Sequence, residues 1–467
     1  MTLRYIIGCG LALAMLGLAS CKENDWLEVS NNKALVIPST LEDLQAILDN
    51  TSAMNDGYPV FGLLGTDNLI IPNMTSLNSI TEREANTYLW QKELYPAYPQ
   101  ISDWNKPYEL VAYANIVLDG LDRPDVAENR DQAAYRQIKG SALFFRAMAF
   151  YQLAQLFCNA YNAATAASDL GLPLRLSSDV NLVVKRATVS ETYETILQDL
   201  TDALPLLPEK SPYLTRPSKV SATALLAKIY LAMEDYANAL LYADETLKIQ
   251  AALLDFNTLS NTGLYPFPPL INGGSENPEI IFYARGISYS SIRAYSSTSA
   301  VDSNLLRLYE ASDLRKSLFF EQRNGYYRFK GTYSGAIAQL FSGIGVNEVL
   351  LIRAECYARL DQPAAALADL RTLLIKRYTP EGYQSLQLND STDLLKIILT
   401  ERRKELPFTG QLRWEDLRRL NQDQRFAKSL ERNMEGEHYL LEPGSPRYVL
   451  PIPDYELDLN PMPQNER

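Results

Sequence analysis

The chain has 467 residues, 46% of them hydrophobic and 21% charged, with a formal net charge of −12 and a single histidine. That balance supports a large apolar core, and the lack of a basic stripe argues against a nucleic-acid partner. The one histidine, His438, excludes a histidine-based zinc site within the chain. It also leaves only one candidate for a Ser-His-Asp or Cys-His unit, and no Gly-x-Ser-x-Gly segment supplies a nucleophile.

The first predicted element is a leader. Arg4 gives a positive end, Ile6 to Gly17 form an apolar run, and Leu18-Ala19-Ser20-Cys21 follows. The run falls short of the roughly 20 apolar residues that span a bilayer. Small residues let a peptidase approach an extended backbone, so residues 1–20 read as a lipoprotein signal peptide and Cys21 as the lipidated new N-terminus. Cys158 and Cys356 lie in helical patterns and read as buried thiols, with their pairing left open.

Beyond a charged tether, Lys22-Glu23-Asn24-Asp25, the pattern Leu41 to Leu48 predicts a helix with Ser39 or Thr40 as N-cap. Residues 50–87 are rich in Gly, Pro, Asn and Thr and read as mostly loop. Helical periodicity resumes near Tyr88 and is clear from Tyr108 to Leu121. An internal repeat then begins. Thr223, Leu226, Ala227 and Tyr230, followed by Tyr236, Ala239, Ala243 and Thr246, have the spacing of a tetratricopeptide helix pair. Arg146, Ala147 and Phe150 with Tyr193, Ile196, Leu200, Ala203 and Pro208 form one further copy, interrupted by about residues 158–187. Leu350, Arg353, Ala354 and Tyr357 with Pro363, Ala366, Leu370 and Leu373 form another. Small residues at such crossings let helices approach closely.

Between the later copies lies a long insertion, about residues 251–345, rich in Gly, Ser, Asn and Tyr. A loop-rich excursion on a rigid frame is where binding residues concentrate. Near the C-terminus, acids and bases alternate at helical spacing in Glu401-Arg402-Arg403-Lys404-Glu405. Arg402, Arg403, Arg418 and Arg419 are expected to pair with Glu401, Glu405 and Asp416 and tie the last helices together. Reading Glu401 and Glu405 as a catalytic acid/base pair is the weaker alternative, because nearby arginines favour ionised carboxylates. Pro443 to Pro463 is expected to form an extended strap rather than helix.

In order along the chain, these segments resemble the SusD/RagB family of outer-membrane nutrient-binding lipoproteins of Bacteroidetes. The resemblance rests on the cysteine with its Trp26-Leu27 sequel and on Trp104…Tyr108…Ala114-Asn115-Ile116-Val117-Leu118. It rests also on Gly140-Ser141-Ala142-Leu143-Phe144-Phe145-Arg146-Ala147, the later repeats, Arg413-Trp414-Glu415-Asp416-Leu417-Arg418-Arg419, and Leu450-Pro451-Ile452-Pro453. It implies a mostly all-α fold, with a helical-repeat frame at about 136–250 and 346–378. Loop-rich ligand or partner regions at about 50–107 and 251–345 would decorate it, and C-terminal helices with the strap would occupy 393–467. The whole of 21–467 would be a single SusD-like domain.

The same resemblance implies a non-enzymatic role without cofactor or metal. The chain would sit at the cell surface on its lipid and pass a nutrient to a SusC-like TonB-dependent transporter. A glycan fragment is the favoured ligand, with a peptide, another nutrient, or a ligand-free scaffold as alternatives. Sugar recognition needs flat aromatic faces beside amides and carboxylates. Asp67, Asn86, Tyr88 and Trp90 in the first loop-rich region, with Tyr289 and Tyr295 in the second, supply that mixture and are the candidate ligand residues. Trp104 and Tyr108 read as helix core.

Overall fold

The computed structural model describes residues 38–95, 100–263, 265–335, 338–388 and 393–467. The leader, Cys21 and the tether lie outside these residues. The first described helix, α1 (Leu41–Leu48), starts where expected: the Thr40 side chain accepts from the Asp43 amide, and Asp43 returns the bond to the Thr40 amide. The same device starts α2 (Glu82–Tyr88), where Thr81 and Glu84 close a capping box. Helix therefore begins earlier than the polar composition of residues 50–87 suggests.

The frame is built from α3 (Ser102–Leu121), α4 (Ala133–Phe157), α5 (Val189–Ala203), α6 (Lys219–Ala232), α7 (Tyr236–Ile249), α8 (Val346–Arg359) and α9 (Pro363–Leu374). Consecutive helices pack as α3 on α4, α4 on α5, α6 on α7 and α8 on α9, and α7 carries the stack onto α8. All three repeat copies read from the sequence are thus real helix pairs. Ala227, Ala239 and Ala243 are fully buried at the α6–α7 crossing, and the Thr246 hydroxyl reaches that of Thr223 at 2.9 Å. Every residue of α4 from Gly140 to Phe157 is buried, as an all-round apolar helix requires. Arg146 is the polar pin in that helix. Its guanidinium forks onto Asp199 of α5 at 2.7 and 2.8 Å and reaches Asn115 of α3 at 2.9 Å.

The two loop-rich regions, far apart in sequence, fold onto each other. Strand β1 (Asp56–Tyr58) pairs in parallel with β3 (Arg285–Gly286), and β2 (Leu69–Ile70) pairs antiparallel with β4 (Ala300–Val301). Two hairpins complete the parts needed below: β5 (Phe320–Arg323) with β6 (Tyr326–Phe329), and β7 (Leu430–Met434) with β8 (Glu437–Leu441). Glu435 and Gly436, both at positive φ, turn the second hairpin.

Helices α10 (Leu394–Glu405) and α11 (Leu412–Leu420) close the body through buried ion pairs. Arg402 and Arg419 meet Asp416 at 2.9 and 3.0 Å, and Arg419 continues to Glu355 of α8 at 2.7 Å. The expected partners change for the other charges. Glu401 and Glu405 pair with Arg315 at 2.6 and 3.2 Å, and Glu405 also pairs with Arg377 at 2.8 Å. Arg418 donates to the carbonyls of Gln155 and Cys158 at the end of α4, and so satisfies acceptors that a helix terminus leaves open. Cys158 and Cys356 are buried free thiols.

The proline-rich tail departs from a continuous strap. Pro453 leads into a short helix, Asp454–Leu459, because proline obstructs helix interiors but tolerates the first turn. Around that helix the tail is extended. The Leu450 amide donates to Leu156, and Asn465 donates to Phe157 and Leu450, which lays the tail against the end of α4.

Candidate functional site

A cavity of about 280 Å³ opens between the first loop-rich region, the helical turn Ser303–Leu306 and hairpin β7–β8. Its wall includes Asp67, Trp90, Asp302, Lys428 and Arg432. Two of the six ligand candidates read from the sequence, Asp67 and Trp90, therefore share one cavity, and Tyr88 stands behind it through Arg432.

Trp90 occupies an unusual backbone position. After α2 the Trp90 amide donates to Thr87 and the Gln91 amide to Asn86, the paired bonds of a Schellman turn. The residue in the left-handed pocket of that turn is ordinarily glycine; here it is Trp90, at φ +52°. A side chain there costs roughly 1–2 kcal/mol. Its indole N–H donates to the Gly65 carbonyl at 3.0 Å, which sets the ring's orientation. Tyr88 is fixed in turn, its hydroxyl accepting from the Ile71 amide at 3.0 Å.

Between these two rings lies Arg432. Alternation along β7 buries Leu430, Arg432 and Met434 and exposes Glu431 and Asn433, so a charge occupies a position that the strand's period assigns to the core. The guanidinium carbon lies 3.6 Å from the Tyr88 ring centre and 4.3 Å from that of Trp90, cation–π contacts on two rings. Its Nη2 donates to the carbonyls of Leu64 and Thr66. Burial pushes the Arg432 guanidinium down to about 10, against the pull of Tyr88, Asp67 and Asp302.

Asp67 is held from three sides. Arg413 meets it at 2.8 and 3.0 Å, Lys428 at 2.8 Å and Arg403 at 3.2 Å. Burial opposes its charge, but Arg413 and Arg403, with Lys428, outweigh that and keep the carboxyl well below its usual range. Arg403 is pushed down to about 10 by burial and by neighbouring Arg413.

The remaining candidates go elsewhere. Asn86 sits on α2 and directs its amide to the Leu94 carbonyl at 3.5 Å. Tyr289 points inward: its hydroxyl donates to buried Asp103, and its ring packs on Phe61 at 5.2 Å. Trp104, read as core, is buried against Phe157 at 4.9 Å. Tyr295 belongs to a second locality beside hairpin β5–β6. Its amide donates to Phe329, its ring lies 4.2 Å from the Arg323 guanidinium, and its backbone is also left-handed at φ +53°. Tyr326, opposite Arg323 in the hairpin, is 38% exposed, with the Arg328 guanidinium 5.4 Å from its ring centre. Arg432 and Lys428 escaped the sequence reading. The signal for Arg432 was present in the two-residue alternation Leu430-x-Arg432-x-Met434.

Among the described residues, no group of three or more His, Cys, Asp or Glu is placed to hold a metal ion. None of their helices is long and apolar enough to cross a membrane.

Residues 25–231 match a family model described as starch-binding associating with outer membrane, and residues 344–466 match the SusD family model. SusD-like protein P2 of Formosa agariphila is 25% identical over 422 residues, covering 78% of this chain and 79% of that protein. A solved SusD superfamily protein from Bacteroides thetaiotaomicron superposes with a TM-score of 0.73 at 22% identity, covering 92% of this chain and 100% of that one. A putative sugar binding protein from Bacteroides vulgatus gives 0.73 at 24% identity, covering 91% and 98%. A SusD-like carbohydrate binding protein from Bacteroides fragilis gives 0.67 at 15% identity, covering 93% and 100%. At these identities the solved structures speak for the fold.

Proposed function

The chain belongs to the SusD/RagB family, and from that premise we propose that it captures a nutrient, a glycan fragment, for delivery to a SusC-like TonB-dependent transporter. Two solved relatives are named as sugar or carbohydrate binding proteins, the family model over residues 25–231 is described as starch-binding associating with outer membrane, and this chain takes a non-enzymatic binding role of that kind. Lipid on Cys21 tethers the body to the outer membrane at the cell surface.

The observation that carries the reading is the cavity around Asp67, Trp90 and Arg432. Its volume lies near the lower end of small-molecule sites, about 300 Å³, which suits one or two sugar units of a longer chain. Ser429, Asn304, Asp302 and Glu431 line it with the hydroxyl, amide and carboxylate groups that bond sugar hydroxyls. In this role Trp90 forms part of the wall, Tyr88 supports Arg432 from behind it and Asp67 orients its cations. Tyr295 and Tyr326 form a second contact for a chain that extends beyond the cavity. Glu401 and Glu405 stay in their arginine pairs and take no catalytic part.

A glycan and peptide array with the purified chain, together with co-purification from outer membranes, tests the reading. Binding of an oligosaccharide and recovery of an outer-membrane barrel are the expected results. An array empty of both classes, with no barrel recovered, would sink it. Cys21→Ala should release the protein from the membrane fraction.

A further inference from the structure

The charges around the cavity are unequally paired. Of four cations, Lys428 and Arg432 line it beside Asp67, Asp302 and Glu431, while Arg403 and Arg413 reach Asp67 from behind the lining. Asp67 is already shared by three of the four. Asp302 spends a carboxylate oxygen on the Asn304 amide at 2.6 Å, capping the helical turn behind it. Glu431 stands on the outward face of β7 with its side chain 63% exposed, 3.6 Å from His438. Among the described residues, no carboxylate lies within ion-pair distance of Arg432. That residue is only 8% exposed, and among the described residues its Nη1 finds no acceptor.

A buried cation without a counter-charge costs stability, as does a buried donor without an acceptor. On the same face Leu430 and Met434 fill their places with apolar side chains, whereas Arg432 brings a charge there and donates to the Leu64 and Thr66 carbonyls. The protein instead supports Arg432 with two aromatic rings, one of them held in a glycine conformation. Such an expense at a cavity wall points to function.

We propose that this cavity binds a negatively charged group on the sugar ligand, a carboxylate or a sulfate, with Lys428 at the mouth and Arg432 in the wall. The proposal rests on the nutrient-binding reading and names its substrate class. The Lys428 side chain is 46% exposed and can turn from Asp67 to an incoming anion. Arg432 supplies a fixed positive field in a low-dielectric wall, where a ligand charge gains more than it would in water. A neutral sugar leaves that field unanswered.

The test uses the purified full chain in detergent on an array of neutral, uronate-bearing and sulfated oligosaccharides, with tetraglutamate as an anion that is not a sugar. Hits are then titrated calorimetrically against Lys428→Gln and Arg432→Met. The expected result is binding confined to charged oligosaccharides, weakened at least fivefold in Lys428→Gln and lost in Arg432→Met; the uronate and sulfate arms tell the two anions apart. Binding of neutral oligosaccharides alone, or charged ones bound with unchanged Kd by both variants, overturns the inference and leaves nutrient binding standing. Binding of tetraglutamate alone overturns the sugar assignment. An array empty of every oligosaccharide and peptide overturns the nutrient reading and this inference together. Lys428 is on the surface, so its variant remains informative if Arg432→Met fails to fold.

Discussion

Helix α10 feeds two buried charge clusters that differ in one respect. Around Glu401 and Glu405 each guanidinium has its carboxylates: Arg315 meets Asp313, Glu401 and Glu405, and Arg377 meets Glu279 and Glu405. Around Asp67 one carboxylate serves Arg403, Arg413 and Lys428, and among the described residues Arg432 beside it has none within ion-pair distance. Both draw on α10, whose acids enter the first and whose Arg403 enters the second, so the charged motif itself does not separate them. Balance does. The first cluster staples the insertion to the last helices, and the second leaves Arg432 without an ion-pair partner in a cavity wall. A cluster complete within the protein serves the fold, whereas one left incomplete suits a ligand that completes it.

The sharpest way to break that contrast is at Glu405. Glu405→Gln removes a charge on which two fully buried arginines depend, and breaking a buried pair costs about 3–5 kcal/mol; urea unfolding should show a loss of that size. A loss below about 1 kcal/mol would mean that the cluster is not the staple described. Asp67→Asn comes next, at about 3 kcal/mol, because three cations lose their shared partner. Asp67 also carries a pH signature. Its carboxyl is depressed in the folded state, so its contribution is complete above the unfolded value of about 3.9 and declines as pH falls through the folded value. Stability of the native chain should fall more steeply below about pH 4 than that of Asp67→Asn.

Arg432→Met should behave differently from both. It removes an uncompensated charge and leaves two carbonyls without their donor, effects of opposite sign, and about 1–2 kcal/mol of net loss is expected. A loss as large as that of Glu405→Gln would place Arg432 among the staples and erase the distinction. The smallest effect is expected for Tyr326→Ala. This exposed residue should change stability by less than about 0.5 kcal/mol, while binding of a long oligosaccharide weakens measurably in calorimetry.

The helical frame was legible because its signals are local. Thr40 with Asp43 and the alanines of the α6–α7 crossing act over a few residues, and so did the capping box at Thr81 and Glu84, although the surrounding loop composition masked it. The candidate site was legible in part. Asp67 and Trp90 do share a cavity wall, but the same residue types at Tyr289 and Asn86 turned to interior partners. Aromatic composition identifies residues that can stack; it does not say which face remains open. Partners for the charged motif were misassigned for a related reason. Arg315 and Arg377 lie 86 and 28 positions from the acids they reach, beyond any helical spacing rule.

By itself the sequence determined the repeat frame and the family, because side-chain period and short-range capping are written in adjacent residues. Only the tertiary structure decided which charges balance. Strand β7 turns Arg432 inward by its two-residue period, but that no carboxylate among the described residues comes within ion-pair distance of it is a property of everything packed around it. Such electrostatic accounts close in three dimensions, between segments such as Asp67 and Lys428 that lie 361 positions apart.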